Sequence, residues 1–171
     1  MSKLKNTLFI LGGLFVVFSI LLLSNNAQLL AESEVFEEIT NLEFKIDGTY
    51  EGDPAVFWIR DKKIGTENEA FRVDITNEAD EKFIVILDKG ENKVIFKEMG
   101  TNNWQELPSM MLSNWWDTWR DEFILPPEGG ESFWREIEGR EYVTEGNGQT
   151  VTIYDVKVDD PIDDSIFNPV G

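Results

Sequence analysis

The chain has no cysteine and no histidine among its 171 residues. The first absence removes disulfides, thiolate nucleophiles, thiolate zinc sites and a lipid-modified leader cysteine. Together the two remove every Ser-His and Cys-His nucleophilic arrangement and the common zinc-hydrolase ligand sets. Basic residues are scarce too: 15 Lys and Arg stand against 33 Asp and Glu, a formal net charge of −18. Lys3 and Lys5 are the only charged residues before Glu32, so the remainder carries 13 basic against 33 acidic groups. Such a surface repels phosphate backbones and anionic headgroups, because nucleic-acid binding needs Lys and Arg to displace condensed counterions. No nucleic acid is expected as a partner. The acidity is read first as a matter of solubility or a saline medium, with attraction of a cationic partner as the alternative.

Catalytic motifs are missing as well. There is no phosphate-cradling glycine loop, no Gly-x-Ser-x-Gly elbow and no calcium loop of alternating acids closed by a glutamate. The acidic run Asp159, Asp160, Asp163 and Asp164 is interrupted by Pro161 and Ile162, and reads as a solvated terminal loop rather than an oxygen cage for calcium. A carboxylate pair such as Glu131 and Glu136 has the residue types for glycosidase-like acid and base work. With 33 acids in the chain a chance pairing is expected, and the protein is read as a non-enzyme with no cofactor and no metal.

What is present begins with a leader. Lys3 and Lys5 precede an apolar stretch from Leu8 to Leu23, broken only by Gly12, Gly13 and Ser19 and followed by polar Ser24, Asn25 and Asn26. This is the pattern of an export signal, slightly long for a signal-peptide core and slightly short for a membrane span. Cleavage wants small residues at −3 and −1, yet Ala27 is preceded at that spacing by Asn25 and Ala31 by Leu29. Residues 1–31 therefore read as a signal peptide or a signal anchor, with both fates open. In either case the positive end stays inside and the acidic part is exported, to the periplasm, the exterior or the outer face of the cytoplasmic membrane.

Residues 32–171 read as one domain. After an amphipathic opening at Val35 to Ile39, segments of alternating polarity are separated by turn residues, which predicts an antiparallel sheet. The expected strands are Leu42 to Tyr50, Ala55 to Arg60, Ala70 to Thr76, Lys82 to Asp88, Asn92 to Met99, Arg140 to Glu145 and Thr150 to Val158. In the third, Phe71, Val73 and Ile75 share one face, with Arg72 and Asp74 on the other. Turns are expected at Asp53-Pro54, Thr76 to Asp80, Lys89-Gly90-Glu91 and Gly146-Asn147-Gly148, with glycine or Asn-Gly supplying positive φ. Phe83 to Leu87 is apolar at every position, the mark of a central strand covered on both faces.

The expected cover is an amphipathic helix at about 108–125. Met111, Leu112, Trp115, Trp116, Trp119 and Phe123 recur at helical spacing, opposite Asn114, Asp117, Thr118 and Asp121, between Pro108 and Pro126-Pro127. A second short helix is expected from Ser132 to Ile137, presenting Phe133 and Ile137. The stripe of Trp115, Trp116 and Trp119 with Met110 and Met111 has two readings. Aromatics at helical spacing usually form core, but this helix carries more aromatic surface than one sheet normally covers, and methionine suits an adaptable cavity wall.

Three stretches carry a resemblance. Val56-Phe57-Trp58-Ile59-Arg60-Asp61-Lys62-Lys63 leads to Phe71-Arg72-Val73-Asp74-Ile75. Phe83 to Leu87 is followed by Lys93-Val94-Ile95-Phe96 and Trp104-Gln105-Glu106-Leu107. Gly139 to Val143 runs through Val151 to Val156 into Pro161-Ile162-Asp163-Asp164-Ser165-Ile166-Phe167-Asn168-Pro169. In these the region from Leu42 to Val170 resembles the LolA-like family of periplasmic lipoprotein carriers. The resemblance implies an α+β, mostly β fold: a curved antiparallel sheet forming an incomplete barrel, covered by one or two helices, whose apolar interior accepts acyl chains. The cavity candidates, taken from the apolar faces of the expected strands and helix, are Phe71, Val73, Val85, Met111, Trp115, Trp116, Trp119 and Phe123, with Phe167 also contributing to the interior. The chain departs from those carriers in its acidity and in its leader, which leaves membrane anchorage open. A related apolar-ligand or envelope role is therefore expected, the runner-up being a solid-core structural or interaction domain.

Overall fold

Alternation of apolar and polar residues is realised as eight antiparallel strands in one open sheet. The computed structural model describes residues 38–124, 131–146 and 149–169; the leader, the opening at Val35, and Pro126-Pro127 lie outside them. The strands are β1 (Asn41–Tyr50), β2 (Asp53–Lys62), β3 (Ala70–Asn77), β4 (Lys82–Asp88), β5 (Lys93–Lys97), β6 (Trp104–Leu107), β7 (Tyr142–Gly146) and β8 (Gln149–Val158). Their order is β6-β5-β4-β3-β2-β1-β8-β7. The first six form a meander, and the β7–β8 hairpin returns to pair β8 with β1.

Register decides which residues form the core. Phe44 lies opposite Ile59, Ile59 opposite Val73, Val73 opposite Val85 and Val85 opposite Phe96. This chain of partners crosses five strands on one face, hereafter the inner face, and every member is buried. Phe71, Val73 and Ile75 lie on it as expected, each fully buried. On β8, Ile153 faces Ile46 and Val158 faces Leu42, although they are an odd number of residues apart. The register shifts between Glu43 and Lys45, where Asp155 adopts a φ of +53°. That extra residue forms a bulge, which returns Val156 and Val158 to the core side.

The turns within Thr76 to Asp80 and at Lys89-Gly90-Glu91 fall where expected, Asn147 and Gly148 lie outside the described residues, and the first hairpin differs. Asp53 and Pro54 already belong to β2, and the first hairpin turns through Glu51 and Gly52 at φ +54° and +94°. Two consecutive positive φ values match the right-handed twist of the flanking strands. The β3–β4 and β4–β5 turns place Asp80 and Asn92, not a glycine, in the left-handed region, as short polar side chains tolerate. Asn92 is thereby taken out of β5, which is shorter than expected. β6 is a strand that the sequence reading did not separate from the loop before the helix.

A helical segment, α1 (residues 109–124), covers the inner face. It opens as a 3-10 turn (Ser109–Met111), continues as one α-helical turn (Leu112–Trp115) and a π-helical stretch (Trp116–Asp121), and ends in an α-helical turn (Glu122–Ile124). A second helix, α2 (Glu131–Ile137), adds Trp134 and Ile137 to the core. The expected pair Phe133 and Ile137 packs on the core, and Trp134, tilted against Phe44 at 4.4 Å, adds a buried contact that was not expected. Phe133 is only half-buried and packs edge-on to Tyr142.

The outer face of β4 is covered by the C-terminal 3-10 turn Asp164–Phe167, capped by Asp163 accepting from the Ser165 N–H at 2.8 Å. Phe167 packs there with Ala70, Ile84, Ile86 and Ile95. Its assignment to the interior with Phe71 and Val85 is therefore wrong. The small side chain of Ala70 leaves room on the outer face, and Arg72 donates to the Ile166 carbonyl to fix the turn in place. The all-apolar strand is thus covered by α1 on one side and by the chain's end on the other.

Candidate functional site

The inner face under α1 is built from ring contacts. Phe123 (2 % exposed) lies 5.9 Å from Phe57 and 6.4 Å from Phe71, centre to centre. Trp119 stacks on Phe83 at 5.7 Å, and Trp115 meets Phe96 at 5.7 Å and Trp119 at 6.2 Å. Of the eight cavity candidates, Phe71, Val73, Val85, Trp119 and Phe123 come together here. Trp115 is half-buried and packs on this layer, whereas Met111, also half-buried, is not among the residues packed on the core. Met110, by contrast, is 82 % exposed and takes no part in it. Trp116 is buried, but its ring turns toward the rim, where the Lys89 ammonium sits 3.9 Å from its centre.

That rim holds charges the sequence reading passed over. Asp61 ends the inner-face series Phe57, Ile59, Asp61 on β2, and its carboxylate is completely buried. Arg120 donates from Nε to Asp61 Oδ2 at 2.9 Å and from Nη1 to Asp121 Oδ1 at 3.1 Å. Its Nη2 lies 3.0 Å from Glu69 Oε1, off the line of a hydrogen bond. Lys89 donates to Glu69 Oε2 at 2.8 Å. Residues 61, 69, 89 and 120 thus converge from β2, the β2–β3 connection, the β4–β5 turn and α1. Asp61 Oδ1 and Glu69 Oε1 are buried and have no hydrogen-bond partner. Burial pushes the Asp61 carboxyl well above the usual carboxylate range; Arg120 opposes the rise and the Glu69 charge adds to it. Burial alone would lower Arg120, but Asp61 and Glu69 hold it above the usual guanidinium value.

A second charged group lies on the outer face. Arg72 grips Asp74 with two hydrogen bonds, at 2.6 and 2.8 Å, and Arg60 donates to the same carboxylate. The Arg60 guanidinium lies 4.0 Å over Trp58, whose indole donates to Glu43 at 3.1 Å. Beside the C-terminal turn is a polar cleft of about 400 Å3, lined by Lys62, Lys63, Asn68, Asp88, Glu91 and Asp164 among others. Its charges are largely used on one another: Lys62 pairs with Asp164 at 2.5 Å, Glu91 pairs with Lys93, and Asp88 accepts from the Glu91 N–H at 2.9 Å.

The acidic run is dispersed in the same way. Asp159 Oδ1 accepts from the Thr40 N–H, the Thr40 hydroxyl and the Asn41 N–H, while Oδ2 accepts from Arg135 at 2.8 Å. Asp163 caps a turn and Asp164 meets Lys62, so Asp159, Asp163 and Asp164 face different partners. Among the described residues no group of three or more Asp and Glu is arranged to hold a metal ion. Glu136 is exposed on α2, and the Glu131 side chain lies outside the described set. No protein family, curated protein or solved structure matches this chain. Among the described residues no helix is long and apolar enough to cross a membrane.

Proposed function

We propose that this protein is a non-catalytic, exported binding protein that holds an apolar or acyl-bearing ligand between the inner face of its sheet and α1. One observation carries the reading: the inner face is apolar from β5 across to β8, and its cover over β2 to β5 is one short helical segment pinned at the rim by charges. Such a cover can lift as a unit, as exchange of a buried ligand requires. The resemblance to LolA-like carriers points the same way. Burying several hundred Å2 of acyl chain at about 25 cal/mol per Å2 is worth on the order of 10 kcal/mol before association costs, so binding needs no reactive group. The N-terminal segment would tie the protein to the membrane wherever it is retained.

A second reading has its own support. Phe71, Val73 and Val85 are fully buried and the helix aromatics already touch the sheet aromatics. That packing favours a solid-core structural or interaction domain of the cell envelope, with an acidic face for a cationic partner. Titration of a fatty acid into a chain lacking residues 1–31, followed by tryptophan emission, separates the two. The carrier reading expects saturation near one ligand per chain, with the signal reduced in Trp115→Phe and Trp119→Phe variants. Absence of binding at micromolar concentration leaves the structural-domain reading.

A further inference from the structure

The rim cluster contains two buried carboxylates, both contacted by Arg120, and one oxygen of each, Asp61 Oδ1 and Glu69 Oε1, lacks a hydrogen-bond donor. A buried acceptor without a donor costs free energy, about 1–3 kcal/mol each and more when charged. No cation satisfies either atom with a hydrogen bond, although Arg120 Nη2 lies 3.0 Å from Glu69 Oε1 off the line of one. Arg120 uses Nε on the other oxygen of Asp61 and Nη1 on Asp121, and Lys89 serves the other oxygen of Glu69. A single proton shared between the two carboxyl groups would relieve both. We propose that Asp61 carries that proton at neutral pH and donates it to Glu69, and that its loss loosens α1 from the sheet.

The groups facing Asp61 account for the direction. Glu69 comes from the β2–β3 connection, Lys89 from the β4–β5 turn, and Arg120 with Asp121 from α1; the register partner of Asp61 on β3 is Phe71, which adds no charge. Without the proton, two carboxylates oppose each other in a dry site, and the relief is hydration, which requires Arg120 and its helix to withdraw. Asp61 in the docked state binds a proton that it releases in the hydrated one. Docking is therefore strongest in acid and weakens as pH rises from the ordinary carboxylate range toward the raised value of Asp61, by up to about tenfold in equilibrium constant per pH unit. The device is independent of whether an apolar ligand enters.

Carbon-detected NMR of side-chain carboxyls in the full chain, held in detergent micelles between about pH 5 and about pH 9, tests the proposal. The Asp61 carboxyl carbon is expected to titrate above the ordinary carboxylate range, with the indole N–H signals of Trp116 and Trp119 moving over the same interval. Asp61→Asn keeps a donor toward Glu69 but cannot titrate, and should hold those indole signals still. Titration of Asp61 in the ordinary range, below about pH 5, would overturn the shared proton. Indole shifts that are absent in the parent chain, or identical in parent and variant, would overturn the coupling to α1. Should the variant fail to fold, the parent chain's carboxyl and indole titrations decide both points.

Discussion

Val73 sits at the centre of the inner face, fully buried, with Ile59 and Val85 as its register partners on the two neighbouring strands. Replacing it with Asp sets a carboxyl where no donor or cation reaches. The group can stay neutral only by holding its proton about three pH units above its ordinary pKa, which costs about 4 kcal/mol at pH 7. Loss of the buried valine surface adds about 2 kcal/mol. The sum approaches the whole stability of a domain this size. Val143→Asp is the control, since Val143 is 56 % exposed on the edge strand β7, and it should change stability by less than about 1 kcal/mol. Urea unfolding of both variants provides the comparison. The Val73→Asp deficit should shrink by about 1.4 kcal/mol for each pH unit of acidification, because the penalty is one of protonation. Equal midpoints for the two variants at pH 7, or a deficit indifferent to pH, would refute the assignment of the inner face.

Arg120→Met keeps most of the side-chain volume but leaves Asp61 and Glu69 buried with only Lys89 nearby; chemical denaturation should register a loss of about 3–5 kcal/mol. Asp159 is raised by its partial burial, yet the donors Thr40, Arg135 and Asn41 bring it down to about 2. Its native value lies below its unfolded one, so its contribution is present above pH about 4 and fades as pH falls toward 2. Thermal unfolding across that acid range should show a shallower slope for Asp159→Asn than for the parent chain. Glu51 holds a left-handed φ in the two-residue β1–β2 turn; Glu51→Asn should raise the urea midpoint by the equivalent of up to about 1 kcal/mol, because Asn accepts that conformation more readily.

The sheet was legible wherever burial writes itself as a period of two. Phe71, Val73 and Ile75 declared their face, and the unbroken run Phe83 to Leu87 declared that β4 is covered twice. The helix over residues 109–124 was legible from its tryptophan spacing, though not its π-helical stretch, since a change of turn width leaves the same apolar residues in the same order. Phe167 was placed on the wrong side because a 3-10 turn at the chain's end has no strand parity from which to infer a face. The rim cluster was the largest omission. It gathers positions 61, 69, 89 and 120, and nothing local links them. Two weak signals were present: Asp61 breaks the inner-face alternation after Phe57 and Ile59, and Arg120 interrupts the helix stripe four residues after Trp116. Charged residues on apolar faces are costly unless paired. Such interruptions, read together, mark candidates for one buried network.

The proposed binding site makes a claim about location, and intermolecular NOEs address it directly. In a deuterated chain carrying protonated Val, Leu and Ile methyls, mixed with an excess of a protonated fatty acid, the account predicts contacts from the acyl chain to the methyls of Val73 and Val85. Contacts to Ile84, Ile86 and Ile95 on the outer face should be absent. NOEs confined to those outer residues, or none at saturating ligand, would contradict the claim that the space between the inner face and α1 is where the protein binds.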